Sequence, residues 1–327
     1  MRTIETWTPA VVRSVTQLTP SIRALDIVPE GLTVHGYPLG GHLNVSVMIA
    51  GKPDTRSYSI VGAEGCYRIA VKRAPDSRGG SEYMWSLTEG SRLSVSNAKS
   101  NFPLDFGYRG YRLIAAGIGI TPIFGMALAL AARGDQVRLA YAARSVDELA
   151  FGDELKAALG KHLTTYVSGE GCRLDVAAYL RTVPPGELVM ICGPLPMIDQ
   201  ARRAWKALGR SAADLRFETF GSSGAHAPEA FTVRLPQFAA EVVVAENQSM
   251  LDALNAAGYE IMSDCRRGEC GVCAVNILEV EGEVDHRDVF FNERQKAENK
   301  KICVCVSRAV GRVSIDAMIR PDPARPR

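Results

Sequence analysis

The sequence predicts a multidomain chain: an antiparallel β-barrel, then an α/β domain on a parallel sheet, then an α+β domain built around a cysteine loop. Three observations predict it. Short β-branched segments parted by Gly, Pro and Asp turns fill residues 1–107, and strands alternate with helices over 108–224. Cys265, Cys270 and Cys273 then form a C-x4-C-x2-C array ahead of Cys303 and Cys305, inside a last domain spanning 231–327. A linker is expected at 225–230, where Gly, Ser, Ala and Pro dominate from Phe220 to Pro228.

Composition narrows the classes. At 327 residues the chain is too long for one ordinary core. Its 46% apolar and 23% charged residues describe a soluble globular protein, and a net charge of +2 gives no nucleic-acid footprint. No run of 18 apolar residues could span a bilayer, and the N-terminus lacks a signal-peptide core, so a cytoplasmic location with reduced thiols is expected. Five of the eight cysteines fall between 265 and 305, as a metal site requires. Cys66 and Cys172 are read as small buried apolar side chains.

In the first domain, strands are expected over Trp7 to Ile27 with a turn at Thr19-Pro20, then at His42 to Ile49, Ser57 to Ile60, Tyr67 to Arg73 and Arg92 to Ser96, with a helix at Ser81 to Leu87. Arg56-Ser57-Tyr58-Ser59 offers a cation, an aromatic plane and hydroxyls within four residues. Arg78-Gly79-Gly80-Ser81 frees the backbone to approach an anion, with helix N–H groups behind it. Together they suit a flavin mononucleotide.

The second domain opens with strand Tyr111 to Ala116, the turn Gly117-Ile118-Gly119-Ile120-Thr121-Pro122 and a helix from Ile123 to Arg133. Further βα units follow, including a helix over Glu148 to Leu159. Ligands in such sheets bind at the carboxyl ends of strands. Gly117, Gly119, Thr121 and Pro122 occupy one such end, Arg144 and Ser145 a second, and Cys192-Gly193-Pro194 a third. The first turn suits a dinucleotide pyrophosphate, Arg144 and Ser145 the adenosine ribose, and Cys192 the nicotinamide surroundings. No histidine and carboxylate arrangement supports a nucleophilic Cys or Ser.

In the third domain a hairpin is expected at Phe231 to Leu235 and Ala240 to Val244, a helix at Met250 to Ala257, and a strand at Ala274 to Val280 ending in an acidic turn. A last strand covers Val313 to Ile315, and the basic, proline-rich tail after Asp316 reads as disordered. Three thiolates at C-x4-C-x2-C with a distant fourth fit a 2Fe-2S cluster and fit paired zinc ligands poorly. Spacing leaves two fourth ligands: 29 residues intervene between Cys273 and Cys303, and 31 before Cys305.

These pieces together resemble the phthalate dioxygenase reductase family. The resemblance covers essentially the whole chain, through RSYS (56–59), AVKR (70–73), RGGS (78–81), GIGITP (117–122), CGP (192–194), FETFG (217–221), CRRGECGVC (265–273), HRD (286–288) and CVSRA (305–309). It implies a flavin barrel, a ferredoxin reductase-like NAD-binding domain and a plant-type ferredoxin (β-grasp) domain. It further implies FMN, NADH and a 2Fe-2S cluster, a monomer, and a Rieske-type terminal oxygenase as electron acceptor.

By position, Arg56, Ser57, Tyr58, Ser59 and Lys72 would hold the flavin, with Gly79, Gly80 and Ser81 at its phosphate. Gly117, Gly119, Thr121, Pro122, Cys192, Gly193 and Pro194 would line the nicotinamide site, and Phe220 would stand near the flavin. Cys265, Cys270, Cys273 and Cys305 would ligate the cluster, Cys305 because the family cysteine precedes Val-Ser-Arg. Arg266, Arg267 and Glu269 are candidate contacts for the acceptor. The competing expectation is an electron-carrier or redox-sensing module that does not turn over pyridine nucleotide.

Overall fold

A computed structural model describes residues 6–49, 51–74, 77, 79–220, 229–246, 248–316 and 319–321. Arg78 and positions 225–228 of the expected linker lie outside the described residues. The chain divides into two compact units, Met1–Thr219 and Phe220–Arg327.

The first unit begins with strands β1 (Trp7–Thr19), β2 (Ile22–Pro29), β3 (Gly41–Ile49), β4 (Lys52–Ala63) and β5 (Tyr67–Lys72), helix α1 (Gly80–Ser86), and strands β6 (Arg92–Ser96) and β7 (Lys99–Ser100). They follow the order β4-β5-β2-β1-β6-β3-β7, and β4 also pairs with β3, which closes the barrel. Its interior is apolar: Val12, Ile27, Leu43, Val45 and Ile69 are fully buried. Strand β4 is longer than its apolar stretch foretells, because its polar half pairs with β3 from Ile49↔Lys52 onward. Backbone pairing there needs no apolar period.

One carboxylate is buried in the barrel wall. Asp26 is 5% exposed and accepts from Arg68 Nε at 2.7 Å and from Ser14 Oγ at 2.8 Å. The Arg68 hydrogen bond, opposed by burial and helped by Ser14, holds its carboxyl below the ordinary value of 3.8. Beside it, Arg13 donates to the buried Cys66 thiol at 2.9 Å.

The α/β part comprises β8 (Tyr111–Ala116), α2 (Ile120–Arg133), β9 (Val137–Ala143), α3 (Gly152–Leu159), β10 (Leu163–Val167), α4 (Val176–Arg181), β11 (Leu188–Cys192), α5 (Leu195–Ala207) and β12 (Leu215–Glu218). The sheet is parallel in the order β10-β9-β8-β11-β12, so its strand order reverses between β8 and β11. Helix α2 starts three residues before the expected Ile123, its first turn closed by Thr121 Oγ1 donating to Ile118 O at 2.9 Å. Helix α3 starts later than Glu148 because Phe151 takes a left-handed φ of 60°, which separates a 3-10 turn at Val146–Glu148 from the helix. Cys172 is exposed, which corrects its reading as a buried thiol.

Barrel and parallel sheet share a core. Ile22, Val61, Ala70 and Phe102 of the barrel side join Leu113, Ile123, Met126 and Met190 in one cluster. Gly125 of α2 lets the Tyr37 side chain approach there, since a Cβ would fall 2.5 Å from its hydroxyl.

The second unit holds β13 (Phe231–Leu235), β14 (Ala240–Val244), α6 (Met250–Ala256), β15 (Tyr259–Ile261), β16 (Ala274–Asp285), α7 (Glu293–Glu298), β17 (Lys301–Cys303), β18 (Arg308–Asp316) and β19 (Ile319–Pro321). Five strands form the mixed sheet β14-β13-β18-β16-β17, in which β13 and β18 are parallel. Two expectations are corrected. The acidic turn after Val280 is absent: β16 runs on to Asp285, with Glu281 meeting Arg312 and Arg234 at 3.1 Å. Gly282 permits the close pairing, because a Cβ would fall 2.0 Å from Val310 O. Within the tail Ile319–Pro321 is a strand, pairing antiparallel with Tyr259–Ile261, while residues 317–318 and 322–327 lie outside the described residues. No helix among the described residues is long and apolar enough to cross a membrane.

Asp26 sets a pH dependence. Its folded pKa is depressed, so its contribution is full above about pH 4 and is lost as pH falls through the folded value. Asp26→Asn should cost about 1.5 kcal/mol at pH 7, at the low end for bonds to charge because Arg68 is half exposed. Urea unfolding of both proteins from pH 7 to pH 3 should show the difference shrinking in acid.

Candidate redox sites

The barrel brings its two marked segments together. Gly79 has a φ of 89° and opens α1, and a Cβ on Gly80 would lie 2.7 Å from Arg56 Nε. Glycine therefore lets the Arg56 side chain lie against the turn, beside backbone N–H groups that suit an anion. Arg56 is steadied by Asp54 at 2.6 Å and by the Thr55 carbonyl at 2.9 Å. Ser57 donates to Asn44 at 2.6 Å, and burial pushes the Tyr58 hydroxyl pKa up. The Ser59 hydroxyl is buried without a partner, the condition of a group awaiting a ligand. Ser81 Oγ bonds Ser77 Oγ at 2.9 Å and receives the Ala74 N–H at 3.3 Å. Lys72 points instead to Glu148, 3.3 Å away across the boundary between barrel and α/β part.

A second site sits where the strand order reverses. Gly117 has a φ of 53°, and Gly119 lies so close to the end of β11 that a Cβ would fall 2.3 Å from Cys192 O. Gly193 is confined likewise, between Met197 Cε at 2.6 Å and the Ala116 methyl at 3.1 Å from a Cβ. The two turns thus press together, bringing Gly117, Gly119, Cys192, Gly193 and Pro194 to one sheet edge. Cys192 is fully buried, Pro194 caps α5, and Thr121 and Pro122 are buried within the first turn of α2. Farther along the edge, Arg144 O receives the Gly169 N–H at 2.8 Å, while the Arg144 and Ser145 side chains are exposed. Phe220, 37% exposed, is the first residue of the second unit.

The third site is the cysteine loop. Arg266, Gly268 and Gly271 take positive φ values of 52°, 76° and 72°, coiling the chain tightly. The backbone N–H groups of Arg267, Glu269 and Cys270 all point at Cys265 Sγ, each at 3.4 Å. Three donors on one sulfur suit a thiolate. The sulfurs fall into neighbouring pairs. Cys270 interacts with Cys265, and burial pushes its thiol up. Cys273 is bonded by Cys303 and then Cys305, which holds it down to about 3, while both donors are pushed up by that bond to Cys273.

Cys303 and Cys305 differ in outlook. After Cys273 and burial, the Cys305 thiol is raised by the charge of Cys265 and lowered by the Gly268 backbone, whereas the Cys303 thiol is raised by the charges of Asp288 and Cys305. A two-iron centre divides four thiolates into two pairs, and Cys265/Cys270 with Cys273/Cys305 fit that division.

Sequence reasoning marked HRD as a motif without seeing its use. Asp288, fully buried, accepts the Phe291 N–H at 2.9 Å and the Ser307 hydroxyl at 3.1 Å, with His286 Nδ1 at 3.5 Å. Burial pushes its carboxyl up, yet His286 and the Phe291 N–H outweigh this and leave it below its ordinary value. Next to it, Arg287 pairs with the buried Asp285 at 2.7 Å. The same segment grips the loop: Val289 and Phe290 N–H groups donate to Gly268 O at 3.0 and 3.1 Å, and the Phe290 ring covers Gly271. The loop charges are likewise engaged within the domain, Arg266 with Asp252 and Arg267 with Glu269 at 3.4 Å. Arg267 and Glu269 are only 10% and 16% exposed, so they brace the loop and present little surface to an acceptor.

Asp288→Ala should leave two buried donors unpaired, costing about 1–3 kcal/mol for each. Denaturant unfolding followed in the second unit should register a loss of about 3 kcal/mol, and a change under 1 kcal/mol would refute the bracing role.

Comparison with known proteins follows the same division. Residues 235–310 match the 2Fe-2S iron-sulfur cluster binding domain, and residues 113–203 match the oxidoreductase NAD-binding domain. The carnitine monooxygenase reductase subunit of Acinetobacter pittii (strain PHEA-2) is 35% identical over 301 residues, 90% of this chain and 97% of that protein. The heme-dependent oxidative N-demethylase beta subunit of Ectopseudomonas mendocina (strain ymp) is 34% identical over 310 residues, 92% of this chain and 95% of its own. Among solved structures, phthalate dioxygenase reductase, described as a modular structure for electron transfer from pyridine nucleotides to 2Fe-2S, superposes with a TM-score of 0.76 at 29% identity. That match covers 95% of this chain and 98% of the other. With the barrel, nucleotide edge and cysteine loop in one order over that whole length, the chain belongs to the phthalate dioxygenase reductase family, oxidoreductases that serve as reductase subunits of oxygenase systems.

Proposed function

We propose that this chain takes electrons from NADH, through FMN and a 2Fe-2S cluster, to a Rieske-type terminal oxygenase acting on an aromatic acid or a similar substrate. The observation that carries the reading is the cysteine loop, where two pairs of sulfurs and three N–H donors meet in the same chain as a nucleotide-type sheet edge. The division assigned is 1–107 for FMN, 108–224 for NADH, 225–230 as linker and 231–327 for the cluster. Eight free cysteines suit a reducing compartment, so we place the protein in the cytoplasm, acting as a monomer.

When bound, FMN accepts a hydride as an electron pair and passes electrons on singly, as a 2Fe-2S cluster requires. The residues bind and orient. Arg56 with the Gly79-Gly80 turn would hold the FMN phosphate, and Ser59 would give its unpaired hydroxyl to the flavin. Gly117 and Gly119 would admit the NADH pyrophosphate to the start of α2, and Cys192 to Pro194 would wall the nicotinamide. Cys265, Cys270, Cys273 and Cys305 would ligate the cluster. The position of Cys305 ahead of Val306-Ser307-Arg308 supports it over Cys303 as the fourth ligand.

Anaerobic stopped-flow mixing with NADH should bleach the flavin band before the cluster bands, and the opposite order would overturn the relay. Rapid NADH-driven reduction of cytochrome c would exclude a carrier module that does not turn over nucleotide. Electron delivery to a Rieske oxygenase, measured against delivery to a heme-dependent demethylase, tests the acceptor class.

Gly119→Ala probes the nucleotide edge. The added methyl must displace the end of β11 or the start of α2, and a shift near 1 Å costs on the order of 100-fold in a positioned reaction. Steady-state assays should show kcat/KM for NADH falling by that order with the flavin still bound.

A further inference from the structure

We propose that Glu148 is a positioning residue for the nucleotide, an acid that ties the turn after β9 to the rim of the barrel and so sets where the adenosine end of NADH lies relative to the flavin. This rests on the reading of 108–224 as the NADH domain, with Arg144 and Ser145 at the adenosine ribose.

Glu148 ends the 3-10 turn Val146–Glu148, and its Oε2 accepts from Ser21 Oγ at 2.5 Å and lies 3.3 Å from Lys72 Nζ. Both partners belong to one place on the barrel. Ser21 stands in the turn between β1 and β2, its carbonyl receives the Arg73 N–H at 2.8 Å, and its neighbour Ile22 pairs with Lys72 across β2 and β5. Only 19% of the Glu148 side chain is exposed, so water screens these contacts less than it screens a surface pair.

The turn needs such a tie. Arg144, Ser145, Val146 and Asp147 are all exposed, so none of these four side chains roots it in the core. Its two ends are fixed: the Arg144 carbonyl receives the Gly169 N–H at 2.8 Å, and Phe151 stacks on Phe124 of α2 with ring centroids 4.5 Å apart. Between those ends the Glu148 N–H donates to Ser145 O at 3.2 Å. Holding Glu148 against the barrel therefore holds Ser145 as well. The adenosine end of a dinucleotide is remote from the reacting carbon, and an interaction made equally by bound substrate and transition state shows in KM and leaves kcat alone.

The test is steady-state turnover of the full chain with ferricyanide as acceptor and two donors, NADH and reduced nicotinamide mononucleotide, which lacks the adenosine half. Glu148→Ala should raise KM for NADH about tenfold, the worth of a hydrogen bond to a charged group, with kcat near wild type. For the mononucleotide, kcat/KM should match wild type. Ser21→Ala, which cuts the tie from the barrel side, should raise KM for NADH by a smaller factor, and Glu148→Gln, which still accepts from Ser21, should recover most of the loss. An unchanged KM for NADH in Glu148→Ala would overturn the inference, as would equal losses with both donors, the mark of general damage at the junction. Failure of the wild-type chain to turn over NADH would overturn the nucleotide reading, and the inference with it.

Discussion

Helix α2 is the constraint on which the first unit depends. Ile120, Ile123, Met126 and Leu130 are completely buried, and each contributes about 1.5–3 kcal/mol on leaving water. The helix has no spare apolar face: one side packs on the parallel sheet, and the other meets the barrel through Gly125 and Met126. Its start is pressed against the end of β11 at Gly119. A single rigid element therefore carries the nucleotide turn at its N-terminus and the barrel along its flank. Chemistry between a nucleotide and a barrel-bound group tolerates little play, and a close-packed core shared by both is a direct way to remove it.

The second unit reaches rigidity by different means. Its loop of nine residues, 265–273, must enclose sulfurs, so it cannot fill its own interior with apolar side chains. Buried charge substitutes. Asp288, Ser307, Arg287 and Asp285 form a polar network that fixes the segment after β16, and that segment holds the loop through the Val289 and Phe290 N–H bonds to Gly268 O. Such networks are costly when incomplete and stiff when complete. The left-handed φ of Arg266 is strain that this support sustains, with Asp252 holding its guanidinium.

Much of the architecture was legible in the sequence because it is periodic. Strand and helix alternation located β8 at its observed bounds, and the cysteine spacing located the loop. Errors arose where pairing replaced periodicity. Strand β16 reads as ending at Val280 because Glu279, Glu281 and Glu283 resemble a turn, yet the partners of Glu281, Arg312 and Arg234, are far away in sequence. The Ile319–Pro321 strand depends wholly on Tyr259–Ile261, which no local rule can reveal. Among candidate site residues, the glycines were readable as glycines, but not what they touch. Gly119 against the Cys192 carbonyl and Gly80 against Arg56 join segments that are distant in the chain. Lys72 likewise turns to Glu148, an acid whose sequence position gives no hint of the barrel.

The choice between Cys303 and Cys305 shows how local geometry can divide two alike residues. Cys303 ends β17 and Cys305 lies two residues beyond it; Cys273 shifts both thiols, but Cys305 also responds to Cys265 and the Gly268 backbone and Cys303 to Asp288. A two-iron centre needs its fourth sulfur on the side facing the loop.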